Sequence, residues 1–404
     1  MAPEYVRPAR WNELYATDAF LLLAMPDPVS SRKARYVMIG GFLGAGKTTA
    51  VAKLAQRLTE RGLKVGLITN DQGRELVDTR MLRAKGFATE EIPGGCFCCR
   101  FNSLVEAAGK LTTATQPDVF IAEPVGSCTD LVATVTYPLR RIYGDHFTIA
   151  PVSVLVDPVR AARVLGLESG GNFSEKVVYI YRKQLEEADI LIINKTDLLS
   201  PERIDQLRAA LAGQFPRAEI RAVSARTGAD LDAWFDQLAG QEHGTGPTMD
   251  VDYDVYADGE ALLGWLNATA ELAAETSFDA DRVLTAIARE IQDRLRAQRA
   301  EVAHLKMTYG PDEALAGEIA VVNLVRNDFV PELSLKLPEP SKRGQLIINL
   351  RAEDAPDALA EIVRESLRIV QELFPTLQIQ LQHLEHFRPG RPTPTHRDQS
   401  PATL

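Results

Sequence analysis

Long apolar runs are missing from this chain. The longest near the start, Ala19 to Met25, is too short to span a bilayer. Glu4, Arg7, Arg10, Glu13 and Asp18 precede it, which is not the charge pattern of a secretory leader. No membrane partner is expected, and a cytoplasmic location is the default. A basic surplus is missing as well: 45 Lys and Arg stand against 55 Asp and Glu, for a net charge of −10. That argues against a general nucleic-acid binder, which needs a basic face. Cysteine is scarce, with four residues in 404. Three of them, Cys96, Cys98 and Cys99, fall within four positions. A disulfide framework spreads its cysteines to staple distant loops, so this clustering reads as reduced thiols for metal or redox work. What is present is ordinary for a globular protein, 45% apolar and 25% charged, with length enough for two or three domains.

From Arg35 onward, short β-branched runs alternate with helical patterns. The runs are Tyr36–Ile39, Val65–Thr69, Val119–Ala122, Val152–Val156, Ile190–Ile193 and Glu219–Val223, and the helical patterns include Thr48–Arg61, Ser103–Leu111 and Tyr179–Ala188. Continuous apolar strands linked by helices are the mark of a buried parallel sheet, so residues 35–240 are expected to form an α/β, doubly wound, mainly parallel domain. Residues 1–34 read as an extension with a short helix around Trp11 to Leu23, and 241–250 as a Gly- and Pro-rich linker. Residues 251–388 change character. A charged helix at about Ala280–Glu301 and another at Ala355–Leu373 accompany strands near His304–Tyr309, Glu318–Val325, Leu333–Leu335, Gln345–Asn349 and Leu377–Leu384. This predicts a second, smaller α+β domain with a mainly antiparallel sheet. The polar, Pro-rich tail 389–404 is expected to be disordered.

Gly41-Phe42-Leu43-Gly44-Ala45-Gly46-Lys47-Thr48 matches the P-loop at every fixed position, after a strand and opening a helix. Its glycines let backbone N–H groups converge on phosphate, Lys47 reaches the β- and γ-phosphates, and Thr48 supplies a hydroxyl to Mg²⁺. The base is chosen further along, by Asn194-Lys195-Thr196-Asp197. A carboxylate accepts two parallel hydrogen bonds from guanine but meets only repulsion at adenine N1. Ser224-Ala225-Arg226 follows a strand where a backbone amide can meet the guanine carbonyl. Glu123, ending the strand Val119–Ala122, is placed to face Mg²⁺, and Gly126 to sense the γ-phosphate. Asp71, in Asn70-Asp71-Gln72-Gly73, is a candidate for positioning the attacking water or binding a metal; a turn-forming Asn-Asp pair is the alternative. Lys47, Asp71 and Glu123 are thus the candidate catalytic groups.

Gly94-Gly95-Cys96-Phe97-Cys98-Cys99 lies between the Asp71 segment and the Glu123 strand. Three sulfurs this close can converge on one thiophilic ion, with Phe97 keeping the site dry. Buried structural thiols and a redox pair are the alternatives. For Cys128, two residues past Gly126, simple packing is the stronger expectation and fourth-ligand duty the weaker. His383 and His386 have the spacing that puts strand side chains on opposite faces, which favours surface or packing roles.

Taken together, GFLGAGKTT, NDQG, GGCFCC, EPVG and NKTD resemble the CobW-type GTPases, relatives of the nickel-chaperone GTPases for hydrogenase and urease and of the corrinoid-enzyme chaperone MeaB. The resemblance spans about residues 36–240. It implies GTP hydrolysis with Mg²⁺, a Zn²⁺ or similar ion at the C-x-C-C, and delivery to a client metalloprotein. By motif position, Gly44, Ala45, Gly46, Lys47, Thr48 and Thr49 carry over as phosphate and Mg²⁺ groups. Cys96, Cys98 and Cys99 carry over as metal ligands, Glu123 and Gly126 as the second switch, and Asn194, Lys195 and Asp197 as the guanine site. The family has Glu where this chain has Asp71, and the C-terminal half departs from the family's usual small domain. With no identifiable arginine finger, intrinsic turnover is expected below about one per second, awaiting metal, a client or a nucleotide-dependent homodimer. An activator GTPase for one metallocofactor enzyme, or a thiol-based metal or redox sensor, is the alternative.

Overall fold

The computed structural model describes residues 33–70, 77–171, 173–244, 246–312 and 318–400. All but the last two residues of the expected N-terminal extension, Asp71 with the five residues after it, and the last four residues of the tail lie outside the described residues.

The first domain is an eight-stranded parallel sheet. Its strands are β1 (Ala34–Gly41), β2 (Val65–Asn70), β3 (Ala88–Ile92), β4 (Val119–Glu123), β5 (Phe147–Ile149), β6 (Ser153–Val156), β7 (Ile190–Ile193) and β8 (Glu219–Ala222). The spatial order is β3-β2-β4-β1-β6-β7-β8, with β5 pairing β1. Helices cover both faces, which is why runs such as Ile190–Ile193 are apolar on every residue. On one face, Val51 and Leu54 of the helix Lys47–Glu60 pack with Trp234 and Leu238 of the helix Leu231–Gly240. On the other, Leu104 and Leu111 of Phe101–Thr115 share a core with Val177 and Leu185 of Glu175–Glu186. β3 was not expected. It is an edge strand in which only Thr89 and Ile92 are buried, so Glu90 and Glu91 break the apolar signal.

The second domain is a six-stranded antiparallel sheet of β9 (Gly264–Phe278), β10 (Glu301–Pro311), β11 (Ala320–Leu324), β12 (Glu332–Leu335), β13 (Ser341–Glu353) and β14 (Leu377–Phe387). The order is β12-β11-β10-β13-β9-β14. The helices Ala280–Gln298 and Pro356–Leu373 cover one face, burying Leu284, Ile287 and Val363 against Leu266, Met307 and Ile348. β9 escaped the sequence reading because its alanines and glutamates favour helix. Its period is two, however: Leu266, Ala268, Ala270 and Leu272 all enter the core.

The uncovered face of this sheet turns toward the first domain, where Arg160 joins the two. Its guanidinium donates to the carbonyl of Leu43 at 3.3 Å and to that of Val325, between β11 and β12, at 2.6 Å, and it stacks on Phe42 and Phe173. Of residues 241–250, read as a linker, His243 lies against the first domain, buried beside Asp189 and with its carbonyl accepting from Arg140 at 2.7 Å. The tail was expected to be disordered. Its described part, residues 389–400, has no helix or strand, yet its polar groups find fixed partners: Asp398 N–H donates to Ala133 O at 2.8 Å and Arg397 pairs with buried Asp130 at 2.7 Å. Among the described residues no helix is long and apolar enough to cross a membrane.

Candidate functional site

The carboxyl ends of β1, β4, β6 and β7 meet at one edge of the parallel sheet, where ligands bind in open α/β folds. The turn after β1 carries the P-loop residues. Gly46 adopts φ 97°, and a Cβ there would sit 2.4 Å from the Asn194 amide nitrogen, so only glycine allows this turn beside that side chain. Asn194 in return donates to Ala45 O at 2.8 Å and accepts from the Ala225 N–H at 3.0 Å, locking three loops together. Lys47 folds back to donate to Gly41 O at 2.8 Å. Lys195, itself in the left-handed region, bridges Gly44 O at 2.8 Å and Asp157 at 2.7 Å. Burial pushes the Asp157 carboxyl up, and the charges of Lys195 and Arg160 outweigh it, leaving the group at about 2.

Thr48 donates its hydroxyl to Glu123 at 2.8 Å, and both are buried. A hydroxyl and a carboxylate side by side, all oxygen, fit a hard cation such as Mg²⁺. Gly126 touches the P-loop so closely that a Cβ would lie 2.7 Å from the Leu43 side chain. Asp197 accepts from the Ser224 hydroxyl at 2.6 Å and faces the Arg226 guanidinium at 3.7 Å.

A cavity of about 920 Å³ joins these groups. Of the residues expected from sequence, Gly44, Gly46, Lys47, Thr48, Thr49, Glu123, Gly126, Asn194, Lys195 and Ala225 line it, whereas Ala45, Asp197 and Ser224 do not. The Ala225 N–H is taken by Asn194 rather than turned to the cavity. The opposite wall comes from the second domain, with Trp265, His304, Lys306 and Asn323 on it. Lys306 reaches to 3.4 Å from the Thr48 hydroxyl. Sequence reasoning missed this wall and Asp157. Lys306 belongs to a distant strand with no motif; Asp157 had a signal, an acidic residue directly after the apolar strand Ser153–Val156.

The thiol loop packs with the segment that follows β4, sharing a core with Val125 and Cys128. Cys96 and Cys98 sulfurs are 2.8 Å apart, Cys96 and Cys99 3.4 Å, and Cys98 and Cys99 3.7 Å. Cys96 and Cys98 are buried, Cys99 partly so, and Phe97 is fully enclosed beside them. These three are a group able to hold a metal ion. Asn70, at the end of β2, ties the loop to the sheet by donating to Ile92 O at 2.9 Å and Gly95 O at 2.6 Å. The sulfurs share protons: hydrogen bonding with Cys128 raises Cys98 well above the usual thiol range, while bonds from Cys96 and Cys98 draw Cys128 down to about 6. Cys99, hydrogen-bonded by Cys96, is pushed up to about 11. The tail runs across this loop. Thr393 N–H donates to Cys99 Sγ at 3.2 Å and Thr395 N–H to Cys98 O at 2.9 Å.

Residues 35–221 match the family model described as the CobW/HypB/UreG nucleotide-binding domain. Among curated proteins, the chain is similar to the zinc chaperone YeiR of Escherichia coli K12, 31% identical over 169 residues, covering 41% of this chain and 47% of that one. It is also similar to the zinc chaperone CobW of a Sinorhizobium species, 29% identical over 202 residues, covering 45% and 56%. The chain thus spans about half the length of these relatives. Among solved structures, HypB from Archaeoglobus fulgidus aligns at 20% identity with a TM-score of 0.37, over 57% of this chain and 98% of that one.

Proposed function

Residues 35–221 are a nucleotide-binding domain of the CobW/HypB/UreG family, and from that premise we propose that this chain is a GTP-hydrolysing metallochaperone. It carries a thiophilic transition metal, zinc before others, on Cys96, Cys98 and Cys99, and passes it to a client metalloprotein. The relatives described as zinc chaperones support the choice of metal. The observation that carries the reading is the convergence of three sulfurs within 3.7 Å of one another on a loop that Asn70 ties to the parallel sheet. Two ligands on adjoining loops of one domain can bias each other's affinity, and such coupling is reciprocal.

The chain's own groups divide the work. Lys47 and the P-loop amides hold the phosphates, and Thr48 and Glu123 hold Mg²⁺, which neutralises developing phosphate charge when bound. Asn194 and Lys195 fix the base pocket, and Asp197 turns from Ser224 to the guanine edge. Asp71 orients the attacking water. With no arginine finger identifiable in the sequence, turnover is slow. The test is equilibrium Zn²⁺ titration of protein loaded with GDP or with a non-hydrolysable GTP analogue. Affinities differing by about 5- to 150-fold, the usual range of allosteric coupling, are expected. Equal affinities in the two states rule out nucleotide-controlled delivery.

A further inference from the structure

The three expected sulfurs have a fourth neighbour. Cys128 is 1% exposed, and its sulfur lies 4.0 Å from that of Cys98. It comes not from the thiol loop but from the segment that follows β4 and Gly126. Packing alone was the stronger expectation for it, yet a residue placed there only to fill space has no need to meet sulfur. Tetrahedral zinc with four thiolates at about 2.3 Å holds its sulfurs about 3.8 Å apart. The Cys98–Cys99 and Cys98–Cys128 separations, 3.7 and 4.0 Å, already have that size. The closer Cys96 contacts, 2.8 and 3.4 Å, suit uncharged thiols sharing protons and need to open by no more than about 1 Å around an ion.

We propose that Cys128 is a fourth sulfur ligand, closing a four-thiolate site that binds the thiol loop to the phosphate-facing loop through the metal itself. This rests on the metallochaperone reading and deepens it. The backbone around Cys128 is held from several sides. The Gln184 amide donates to the carbonyls of both Gly126 and Cys128 at 2.9 Å. Ser127 donates to buried Glu260 at 2.7 Å, and the Thr129 N–H donates to the Tyr256 hydroxyl at 3.3 Å. These bonds occupy the polar groups of the segment and leave the sulfur facing Cys98, the member of the cluster it touches. The Thr393 N–H on Cys99 Sγ is the kind of outer-shell donor that supports a metal-bound thiolate. The consequence is mechanical. Gly126 has no spare room against Leu43 of the P-loop, so an ion pulling on Cys128 pulls two residues away from the contact that senses phosphate.

The test uses the full chain and Co²⁺ alone as the probe ion, because the intensity of its sulfur charge-transfer band follows the number of Co–S bonds. Wild type, Cys96→Ser and Cys128→Ser are titrated with GDP and with a non-hydrolysable GTP analogue. The expected result is that Cys128→Ser still takes one ion, with about three quarters of the wild-type intensity per ion, since three of four thiolates remain. Its Co²⁺ affinity falls at least about tenfold, as loss of a metal-supporting group does, and the factor by which nucleotide changes that affinity shrinks toward one. Wild-type intensity, affinity and nucleotide response in Cys128→Ser overturn the proposal while leaving the three-thiol reading intact. A wild type that takes up no Co²⁺ overturns both. X-ray absorption of zinc-loaded wild type needs no variant: four sulfurs around zinc support the proposal, and three sulfurs with one lighter atom refute it.

Discussion

The nucleotide cavity and the sulfur site adjoin the same strand end, yet they are built in opposite ways. The cavity is roomy, about 920 Å³, and walled by two domains. Its polar groups already have partners: Lys47 has Gly41 O, Thr48 has Glu123, and Lys195 has Gly44 O and Asp157. A phosphate or a base enters by exchanging those bonds for its own, so little is left unpaired either before or after binding. The sulfur site is small, dry and crossed by the chain's tail. An ion there can leave only if a loop or the tail moves. On the proposed function, the first region would exchange its ligand and the second retain it, with coupling between them making retention reversible.

The largest effect that sharpens this contrast belongs to Asp197. Ser224 and the cavity-lining Arg226 hold its carboxylate at 2.6 and 3.7 Å. Asp197→Asn keeps the shape but removes the charge. Each hydrogen bond to a charged group contributes about 1.5–3 kcal/mol, so GTP affinity should fall about 10- to 100-fold, or more where both bonds are lost. Zn²⁺ affinity without nucleotide should stay at the wild-type value. Isothermal titration of both ligands reads this directly. If nucleotide-free zinc binding weakens in step, the two regions are one structural unit and the contrast fails.

The contrast also marks what could be read before any coordinates. The P-loop and the Asn194–Asp197 loop were legible because their chemistry demands a local backbone: glycines at set spacings, directly after apolar strands. The cluster of Cys96, Cys98 and Cys99 was legible for the same reason. What was not legible depends on contacts between distant parts of the chain. Lys306 lies far from Thr48 in sequence but 3.4 Å from it in space. Cys128 reaches Cys98 only because β4 ends beside the thiol loop. Thr393 meets Cys99 from nearly the other end of the molecule. β9 was hidden differently, by helix-favouring alanines whose strand alternation counts only once β13 and β14 flank it. No local pattern specifies such pairings.

A smaller effect concerns the acid limit of the nucleotide region. Asp157 sits at about 2 in the folded protein, against an ordinary value of 3.8. A depressed carboxyl stabilises the fold above its unfolded value and loses that contribution as pH falls through the folded one. The stabilisation, on the order of 2 kcal/mol, is therefore complete above about pH 4 and disappears toward pH 2. In Asp157→Asn it should be absent throughout. Denaturant unfolding at pH 7 should separate the two proteins by that amount, with the gap closing as the medium is acidified. A gap that does not change with pH means that the Lys195–Asp157 pair contributes no titratable stability.

The smallest effect tests retention itself. Three contacts lay the tail on the thiol loop: Thr393 N–H on Cys99 Sγ at 3.2 Å, Thr395 N–H on Cys98 O at 2.9 Å, and the Thr395 hydroxyl on Cys99 O at 3.2 Å. Arg397 on buried Asp130 and Asp398 on Arg141 anchor it beyond the loop. Ending the chain after Arg388 removes all of them without touching β14. Thr393→Pro removes the hydrogen bond to sulfur, because proline has no N–H, and besides it only the long bond from the Thr393 hydroxyl to Arg391 O at 3.5 Å. A neutral hydrogen bond contributes about 0.5–1.5 kcal/mol, so Thr393→Pro should speed zinc loss to a competing chelator about 2- to 10-fold, and the truncation should speed it further. GTP affinity should be unchanged in both, since no tail residue lines the cavity. Zinc release at the wild-type rate from the truncated chain would mean that the ion is held by its sulfurs alone and that the tail only rests on a closed site.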